Sequence, residues 1–244
     1  SKDKGEREGQ ARRDYVRTLG ELGDAQAVDV LIKALEVPAA DQPRAIHREA
    51  IRALGKLKDP KSLDAIVLAT LRLPDAASST DVFNRSMLAI VSFGKPGVEA
   101  VLDVFEGKNA KALKLAADQG LDDNAVKLIY SRFLGALDDT AAAEPLIAFM
   151  PRSDCGDKGD PDPEAGALRG SIARQLGFIG DASAVGPLCE CSLSSQNPGD
   201  MDFITEALGY IGGDEAVACL ANVVTSAEYS DDAIVKPEYK YELR

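Results

Sequence analysis

The chain has 244 residues, and its 28 Lys and Arg against 40 Asp and Glu give a formal net charge of -12. This charge argues against broad nucleic-acid binding, which draws its affinity from Lys and Arg at phosphates, and against an anionic membrane surface. No run approaches the roughly 18 apolar residues of a membrane span, and the N-terminus lacks the apolar core of a signal peptide. We therefore expect an acidic, soluble chain.

One phrase recurs along the sequence. RTLGELGDAQAVDVLIKAL begins at Arg17, and a near copy, RALGKLKDPKSLDAIVLATL, begins at Arg52. The shared frame is Leu, Gly, any residue, an apolar residue, any residue and Asp, and we call its second position the anchor. The anchors are Gly20, Gly55, Val91 in a degenerate third copy, Gly135, Gly177 and Gly209. Adjacent anchors lie 32 to 44 residues apart, and such periods indicate stacked supersecondary units.

Each copy predicts a helical hairpin. Before the second anchor, apolar residues share one helical face: Ile46, Ala50, Ile51 and Leu54. The glycines of the phrase are assigned to tight turns, and four aspartates are assigned to N-caps of the second helix: Asp24, Asp59, Asp139 and Asp181. The predicted hairpins lie near residues 8–36, 44–72, 81–107, 124–150, 164–195 and 200–225. A short extra helix is predicted within residues 108–124, and residues 226–244 either cap the last hairpin or hang free.

The period and the phrase resemble HEAT repeats over residues 12–225, and look most like the short bacterial HEAT-like units of phycobilin lyases. The Trp, Tyr and Pro markers of tetratricopeptide repeats and the Thr-Pro-Leu-His phrase of ankyrin repeats are absent. The resemblance implies an all-α fold, an α-solenoid of about six stacked antiparallel helical hairpins whose second helices line a concave surface. It carries information about the fold rather than about function.

Acidic residues occupy one position of the second helix in four copies. They stand nine residues after the anchor, or eight in the third copy, and we call them the acidic column: Asp29, Asp64, Glu99 and Glu144. Because the resemblance places second helices on the concave surface, it implies an acidic groove that binds a basic protein partner. A solvated acidic face is the alternative in so acidic a chain. We expect a monomeric protein-binding scaffold without a cofactor, nucleic acid or membrane insertion.

Arginines stand three residues before the anchor in four copies. We call them the arginine row: Arg17, Arg52, Arg132 and Arg174. Their guanidinium groups are expected to pair with Asp or Glu of a neighbouring repeat. A row that binds a ligand is the alternative.

Candidates for catalysis are few. The single histidine, His47, rules out a cluster of His ligands and is expected to be a surface or inter-repeat side chain, with a general base as the alternative. The sequence also lacks the paired His-Glu motifs of iron-binding HEAT-like hydroxylases and any phosphate-binding loop. We expect no catalytic residue. A lyase or chaperone for a bilin or another cofactor is the alternative, on the resemblance to phycobilin lyases alone.

The loop before the fifth hairpin is rich in carboxylates. Four aspartates are spaced closely enough to act as oxygen ligands of calcium: Asp154, Asp157, Asp160 and Asp162. Their register differs from that of an EF-hand, and a solvated loop is the alternative.

The four cysteines bear on the cellular compartment. An antiparallel hairpin brings Cys191, or less favourably Cys189, beside Cys155, so a Cys155–Cys191 disulfide competes with free thiols. Cys219 is assigned to the core as a small apolar residue. A disulfide implies a periplasmic or extracellular location, and free thiols a cytoplasmic one. A scaffold of the cell envelope or the extracellular space, stabilised by a disulfide or by calcium, is therefore a further interpretation.

Overall fold

A computed structural model describes residues 2–38, 40–73, 80–152, 155, 163–194 and 198–225. Within these ranges the chain forms α-helices and short 3₁₀ turns and no strand, as the repeat pattern predicts. The helices are α1 (Lys2–Leu22), α2 (Val28–Glu36), α3 (Arg44–Leu57), α4 (Leu63–Val67), α5 (Ala69–Arg72), α6 (Thr80–Val91), α7 (Lys95–Phe105), α8 (Ala110–Asp118), α9 (Asp123–Leu137), α10 (Ala143–Phe149), α11 (Pro163–Ile179), α12 (Val185–Ser194), α13 (Pro198–Ile211) and α14 (Gly213–Thr225). They group into two compact units, Ser1–Phe133 and Leu134–Arg244.

The first unit stacks its helices in two layers. In one layer α1 packs on α3 and α3 packs on α6, so this layer holds the first helix of each hairpin. The second helices form the other layer, because α2 packs on α4 and α4 packs on α7. Leu31 of α2 and Ile51 and Leu54 of α3 are fully buried in the core of this stack. The predicted stacking of hairpins is therefore confirmed in this unit.

The second unit has the same arrangement. In its layer of first helices α11 packs on α13, and in its layer of second helices α12 packs on α14. The helix ahead of them, α10, packs on α11. Ile172, Leu188 and Ile204 are fully buried, one on each of α11, α12 and α13. Each unit is thus a stack of antiparallel hairpins, and the fold belongs to the all-α solenoid class.

The turns inside the hairpins confirm the predicted caps. Four aspartates accept a hydrogen bond from the backbone N–H two residues further on, at 2.8 to 2.9 Å: Asp24, Asp59, Asp139 and Asp181. The residue before each cap has a positive φ of 51° to 72°: Gly23, Lys58, Asp138 and Gly180. Such a left-handed residue ends the first helix, and the aspartate then starts the second.

The anchor glycines lie elsewhere, inside the first helices, so their assignment to turns is wrong. A Cβ atom added to Gly55 would stand 2.7 Å from Cβ and 3.1 Å from Cα of Ala89 on the next first helix. A Cβ atom added to Gly177 would stand 2.8 Å from Cα of Ala207. These positions are glycine because consecutive first helices approach too closely for a side chain.

The close approach has a fixed register. Each anchor glycine faces the residue that stands two positions before the next anchor, and we call this pairing the stacking register. The facing residues are Ala53, Ala89, Gln175 and Ala207. This contact is between two repeats. An alignment of the repeats with one another therefore does not reveal it.

The third hairpin departs from this register. Its anchor is Val91, which is 43% exposed, and the residue two positions before the following anchor is the buried Phe133. The Phe133 ring packs 4.4 Å from the Phe83 ring and 5.5 Å from the Tyr130 ring, measured between centroids. Helix α8, the predicted extra helix, lies between α7 and α9 in the chain. Val91 and Phe133 therefore occupy the two positions that hold a glycine and an alanine in the first two stacks. They do so where the repeat period is longest.

Candidate interaction surface

Three members of the acidic column lie on consecutive second helices of the first unit. Asp29 lies in the first turn of α2, Asp64 lies in the first turn of α4, and Glu99 lies one turn into α7. Because α2, α4 and α7 pack in series, these carboxylates recur at one structural position from hairpin to hairpin. Asp29 and Glu99 are exposed and Asp64 is half-buried. Glu144 is exposed in the first turn of α10, in the second unit.

The acidic column also stabilises the helices that carry it. Asp29, Asp64 and Glu144 all lie in the first turn of a helix, where the backbone N–H groups give the helix end a partial positive charge. A carboxylate there contributes about 0.3 to 1 kcal/mol when exposed. These residues therefore stabilise their own helices in addition to any role in binding.

Asp64 is not a free carboxylate, because α8 supplies two donors to it. Lys111 Nζ donates to Asp64 Oδ2 at 2.6 Å and Asn109 Nδ2 donates to Asp64 Oδ1 at 3.2 Å. Asn109 also caps α8, because its Oδ1 accepts from the backbone N–H groups of Lys111 and Ala112 at 3.1 and 3.0 Å. The hydrogen bond to Asp64 raises the pKa of Lys111 above its ordinary value. The inserted helix thus places a cation in the middle of the predicted acidic stripe.

The other members of the column are less engaged. Lys95 Nζ lies 4.0 Å from Glu99 Oε1, across one turn of α7, and the Glu99 side chain is 66% exposed. An exposed pair at that distance contributes little. The side chains of Asp29 and Glu144 have no ion-pair partner among the residues that the structure describes. These carboxylates therefore remain available to an external cation.

The first two members of the arginine row, Arg17 and Arg52, form ion pairs. Arg52 Nε donates to Glu49 Oε2 at 2.8 Å within α3, and Arg52 Nη2 lies 3.9 Å from Glu21 Oε1 of α1. Arg17 pairs within its own helix, at 3.1 Å from Asp14 and 4.0 Å from Glu21. The expected ion pair between neighbouring repeats is therefore present at Arg52.

Two later members of the row use a different contact. The guanidinium carbon of Arg132 lies 4.2 Å from the ring centroid of Phe83, and that of Arg174 lies 4.3 Å from the ring centroid of Phe203. Both pairs join first helices of adjacent hairpins by a cation–π interaction, which contributes about 0.5 to 1 kcal/mol at exposed sites. The expectation of a carboxylate partner is wrong at these two arginines, because a phenylalanine occupies the facing position.

A comparison with protein families finds a match in the first part of the chain. Residues 5–77 match the family described as HEAT repeats. This match covers the first two hairpins of the chain, α1 to α5. Among solved structures, the chain is similar to human deoxyhypusine hydroxylase in complex with glycerol, with 14% identity, a TM-score of 0.36 and coverage of 83% of this chain and 80% of that chain. A likeness at that score carries no argument about activity. Comparison with curated proteins gives no match.

The histidine is buried between the first two hairpins, which is the inter-repeat place of the two that the sequence left open. His47 Nε2 lies 2.7 Å from the carbonyl oxygen of Val37 and 2.9 Å from Gln42 Nε2. Burial lowers the pKa of His47, the nearby Arg44 charge lowers it further, and the contact with Val37 acts in the opposite direction. The imidazole holds the link between α2 and α3 and does not face solvent as a general base would.

Both pairs of cysteines are joined in the second unit. Cys155 forms a disulfide with Cys191, the pairing favoured from the sequence, at a Cα–Cα distance of 4.6 Å. Cys189 forms a second disulfide with Cys219, at a Cα–Cα distance of 5.8 Å. Cys219 is buried in the core, as predicted, but it is not a free thiol, because it bonds α14 to α12. The repeat pattern could have predicted this pair, because it makes α12 and α14 the second helices of consecutive hairpins, which stack on one another.

A buried ion pair, which the sequence reasoning missed, lies between α11 and α13. Arg169 and Asp200 have fully buried side chains, and Arg169 Nε donates to Asp200 Oδ2 at 2.7 Å. Arg169 Nη1 also donates to the carbonyl oxygen of Pro151 at 3.3 Å. One residue further, Arg152 pairs with Glu190 of α12. With the Cys155–Cys191 bond, these contacts fix the start of the loop that follows α10.

The calcium candidates Asp154, Asp157, Asp160 and Asp162 lie outside the described residues. Within the described ranges, no group of three or more His, Cys, Asp or Glu side chains is placed to hold a metal ion. No helix in that part of the chain is both long and apolar enough to cross a membrane.

Proposed function

We propose that this chain is a non-catalytic scaffold that binds a protein partner of basic or mixed charge through the acidic column. The observation that carries the proposal is the recurrence of a carboxylate at one position on α2, α4 and α7, which pack in series. Carboxylates that recur at one repeat position make this face negative, and such a face attracts a partner's Lys or Arg side chains. The net charge of -12 favours encounter with the same kind of partner.

The Lys111–Asp64 pair refines the kind of partner. Lys111 Nζ neutralises Asp64, so Asp29 and Glu99 on either side are the stronger sites for a partner's cations. A partner segment that crosses α2, α4 and α7 then meets a negative charge at Asp29, a neutralised charge at Asp64 and a negative charge at Glu99. This pattern favours two basic groups separated by a polar or acidic one.

The non-catalytic part of the proposal is supported by the titratable groups. His47 is buried and serves the link between hairpins. The lowered pKa of Asp81 comes first from its hydrogen bond with Arg48, and the raised pKa of Lys108 comes first from its hydrogen bond with Glu106. Each of these shifts has a structural cause.

The proposal is tested by reversing the charge of the column. A variant with Asp29, Asp64, Glu99 and Glu144 all replaced by Lys is compared with the unmodified chain in quantitative pull-downs from the source cell. We expect proteins recovered by the unmodified chain to be lost with the variant. They should also be lost in about 1 M NaCl, where the Debye length is about 3 Å.

A matched control carries the same change in net charge away from the column. Asp41, Asp138, Asp202 and Glu215 are exposed, and their replacement by Lys leaves the second-helix positions of the column intact. Asp138 accepts the change readily, because Lys58 has the equivalent place with a φ of 53°. Recovery that is unchanged in the column variant, or lost equally in the control, contradicts the proposal.

The two disulfides favour a second part of the proposal, namely that the scaffold works in an oxidising compartment. All four cysteines are bonded in two pairs, and such bonds persist in secreted and periplasmic proteins and are reduced in the cytosol. Alkylation of the protein taken from its source cell under non-reducing conditions tests this. We expect no thiol to react before reduction, whereas modified cysteines in the unreduced sample would count against the oxidising compartment.

A further inference from the structure

The last hairpin exposes a surface that is covered in most of the hairpins before it. Ala207 of α13 faces Gly177 of α11, in the stacking register. Gly209 stands two residues further, on the opposite side of α13, because each residue turns a helix by about 100°. A Cβ atom added to Gly209 would meet no described atom within 4 Å, unlike those of the four earlier anchor glycines. Among the described residues, the site that would receive a further first helix is therefore open.

Helix α14 continues this open surface with apolar side chains. Val217 and Val224 are 63% and 85% exposed, and because they are seven residues apart they share one side of the helix. Cys219, which bonds α14 to α12, lies on the other side. We define the open face as Gly209, Val217 and Val224. The end of a repeat stack normally carries polar residues, so apolar residues here indicate a surface that is covered.

We propose that residues 226–244 of the same chain cover the open face. They lie outside the described residues and follow Thr225, the last residue of α14. The segment holds three of the chain's six tyrosines, at Tyr229, Tyr239 and Tyr241, together with the apolar pair Ile234–Val235. Tyrosine and branched aliphatic side chains bury well against a surface of glycine and valine.

The segment is long enough for this role. Because α14 runs back along α13, Thr225 lies towards the end of α13 where Pro198 begins that helix. Gly209 stands about 16 Å further along α13, at about 1.5 Å per residue, and neighbouring helices are about 8 to 10 Å apart. The 19 residues of 226–244 span that path as a helix of about 28 Å and more easily as extended chain.

Hydrogen exchange of the full chain, read by mass spectrometry, tests the proposal. The variants are Gly209→Trp, which fills the site of close approach, and Val217→Glu, which places a charge on the open face. Asn222→Trp is the control, since Asn222 is exposed on α14 on the side away from Val217 and Val224. We expect amides of residues 226–244 to exchange at least about tenfold more slowly than in a free peptide of that sequence. Both open-face variants should remove this protection, and the control should retain it.

Other outcomes overturn the proposal. Exchange of residues 226–244 at the rate of the free peptide shows that the segment does not dock. Protection that survives both open-face variants shows that it docks elsewhere. Protection that grows with protein concentration identifies a second copy of the chain as the occupant. Unchanged exchange in α11 and α12 verifies that the variants remain folded.

Discussion

A single missing atom sets the spacing of the hairpins. Gly177 has no Cβ, and this lets Ala207 bring the backbone of α13 against α11. Gly135 instead makes room for the side chain of Gln175, which is buried. The residue type at the anchor position is therefore determined mainly by contact with the next repeat, and less by the helix in which the anchor lies.

Replacing Gly177 by Ala tests this at the scale of one methyl group. Overpacking costs about 1 to 3 kcal/mol, and the better helix propensity of Ala returns about 1 kcal/mol, so we expect a net loss of about 1 to 2 kcal/mol. Urea unfolding measures the change. Gly186→Ala in α12 is the control, because a Cβ atom there meets nothing within 4 Å, and it should be neutral or slightly stabilising. Equal effects of the two substitutions would refute the role of close approach.

His47 makes stability depend on pH. Burial holds its pKa below the ordinary value of about 6.5, so the unfolded chain takes up the proton before the folded chain does. The contribution to stability is complete above about pH 6.5 and is lost as the pH falls towards the lowered pKa, with a slope of at most about 1.4 kcal/mol per pH unit. Urea midpoints between pH 5 and pH 8 should show the slope in the unmodified chain and not in His47→Gln. A slope that persists in the variant assigns the effect to carboxylates.

Between elements, the buried pair of Arg169 and Asp200 is the contact with the largest expected cost of disruption. Asp200→Ala leaves a guanidinium buried without its counter-charge, and we expect a loss of about 3 to 5 kcal/mol in the free energy of unfolding. The double variant Arg169→Met with Asp200→Leu removes both charges and should cost clearly less. Urea unfolding compares the two. A double variant as unstable as the single one would show that volume and packing, rather than charge burial, govern the site.

The same pair shows where prediction from sequence ends. Periodicity within one hairpin identifies both helices and their caps, because those signals are local, as at Asp24 and Asp59. Arg169 and Asp200 look like ordinary surface charges, since neither adjoins a local signal of burial. Their burial follows from the packing of α11 on α13, a contact between repeats. The neutralisation of Asp64 by Lys111 was hidden for the same reason.

For the whole molecule, both disulfides lie in the second unit, so reduction should affect the two units differently. The bonds join residues 36 and 30 apart, and each is expected to stabilise by about 3 to 4 kcal/mol through the entropy of the unfolded chain. We expect a reductant to speed amide exchange in α10 to α14 and to leave α1 to α7 unchanged. Hydrogen exchange with and without reductant measures this. Equal loss of protection in α1 to α7 would contradict the prediction.

The fold class of the molecule was predictable because six copies of one phrase reinforce each other. The acidic column and the Cys155–Cys191 pair could also be named from their places in the repeat. The aromatic partners of Arg132 and Arg174 could not, nor could the choice between a surface and an inter-repeat place for His47, because each depends on which side chain the neighbouring hairpin presents. Local pattern thus locates candidate residues, and stacking decides which of them face solvent.

The stacking register also bears on how such a chain grows by gene duplication. The second hairpin carries Ala53 on its entry side and Gly55 on its exit side, so a duplicate inserted after it would fit its parent without other change. The third hairpin carries Ala89 on entry and the bulkier Val91 on exit, which breaks that interchangeability. We therefore expect that a duplicated hairpin inserts with less disruption after the second hairpin than after the third.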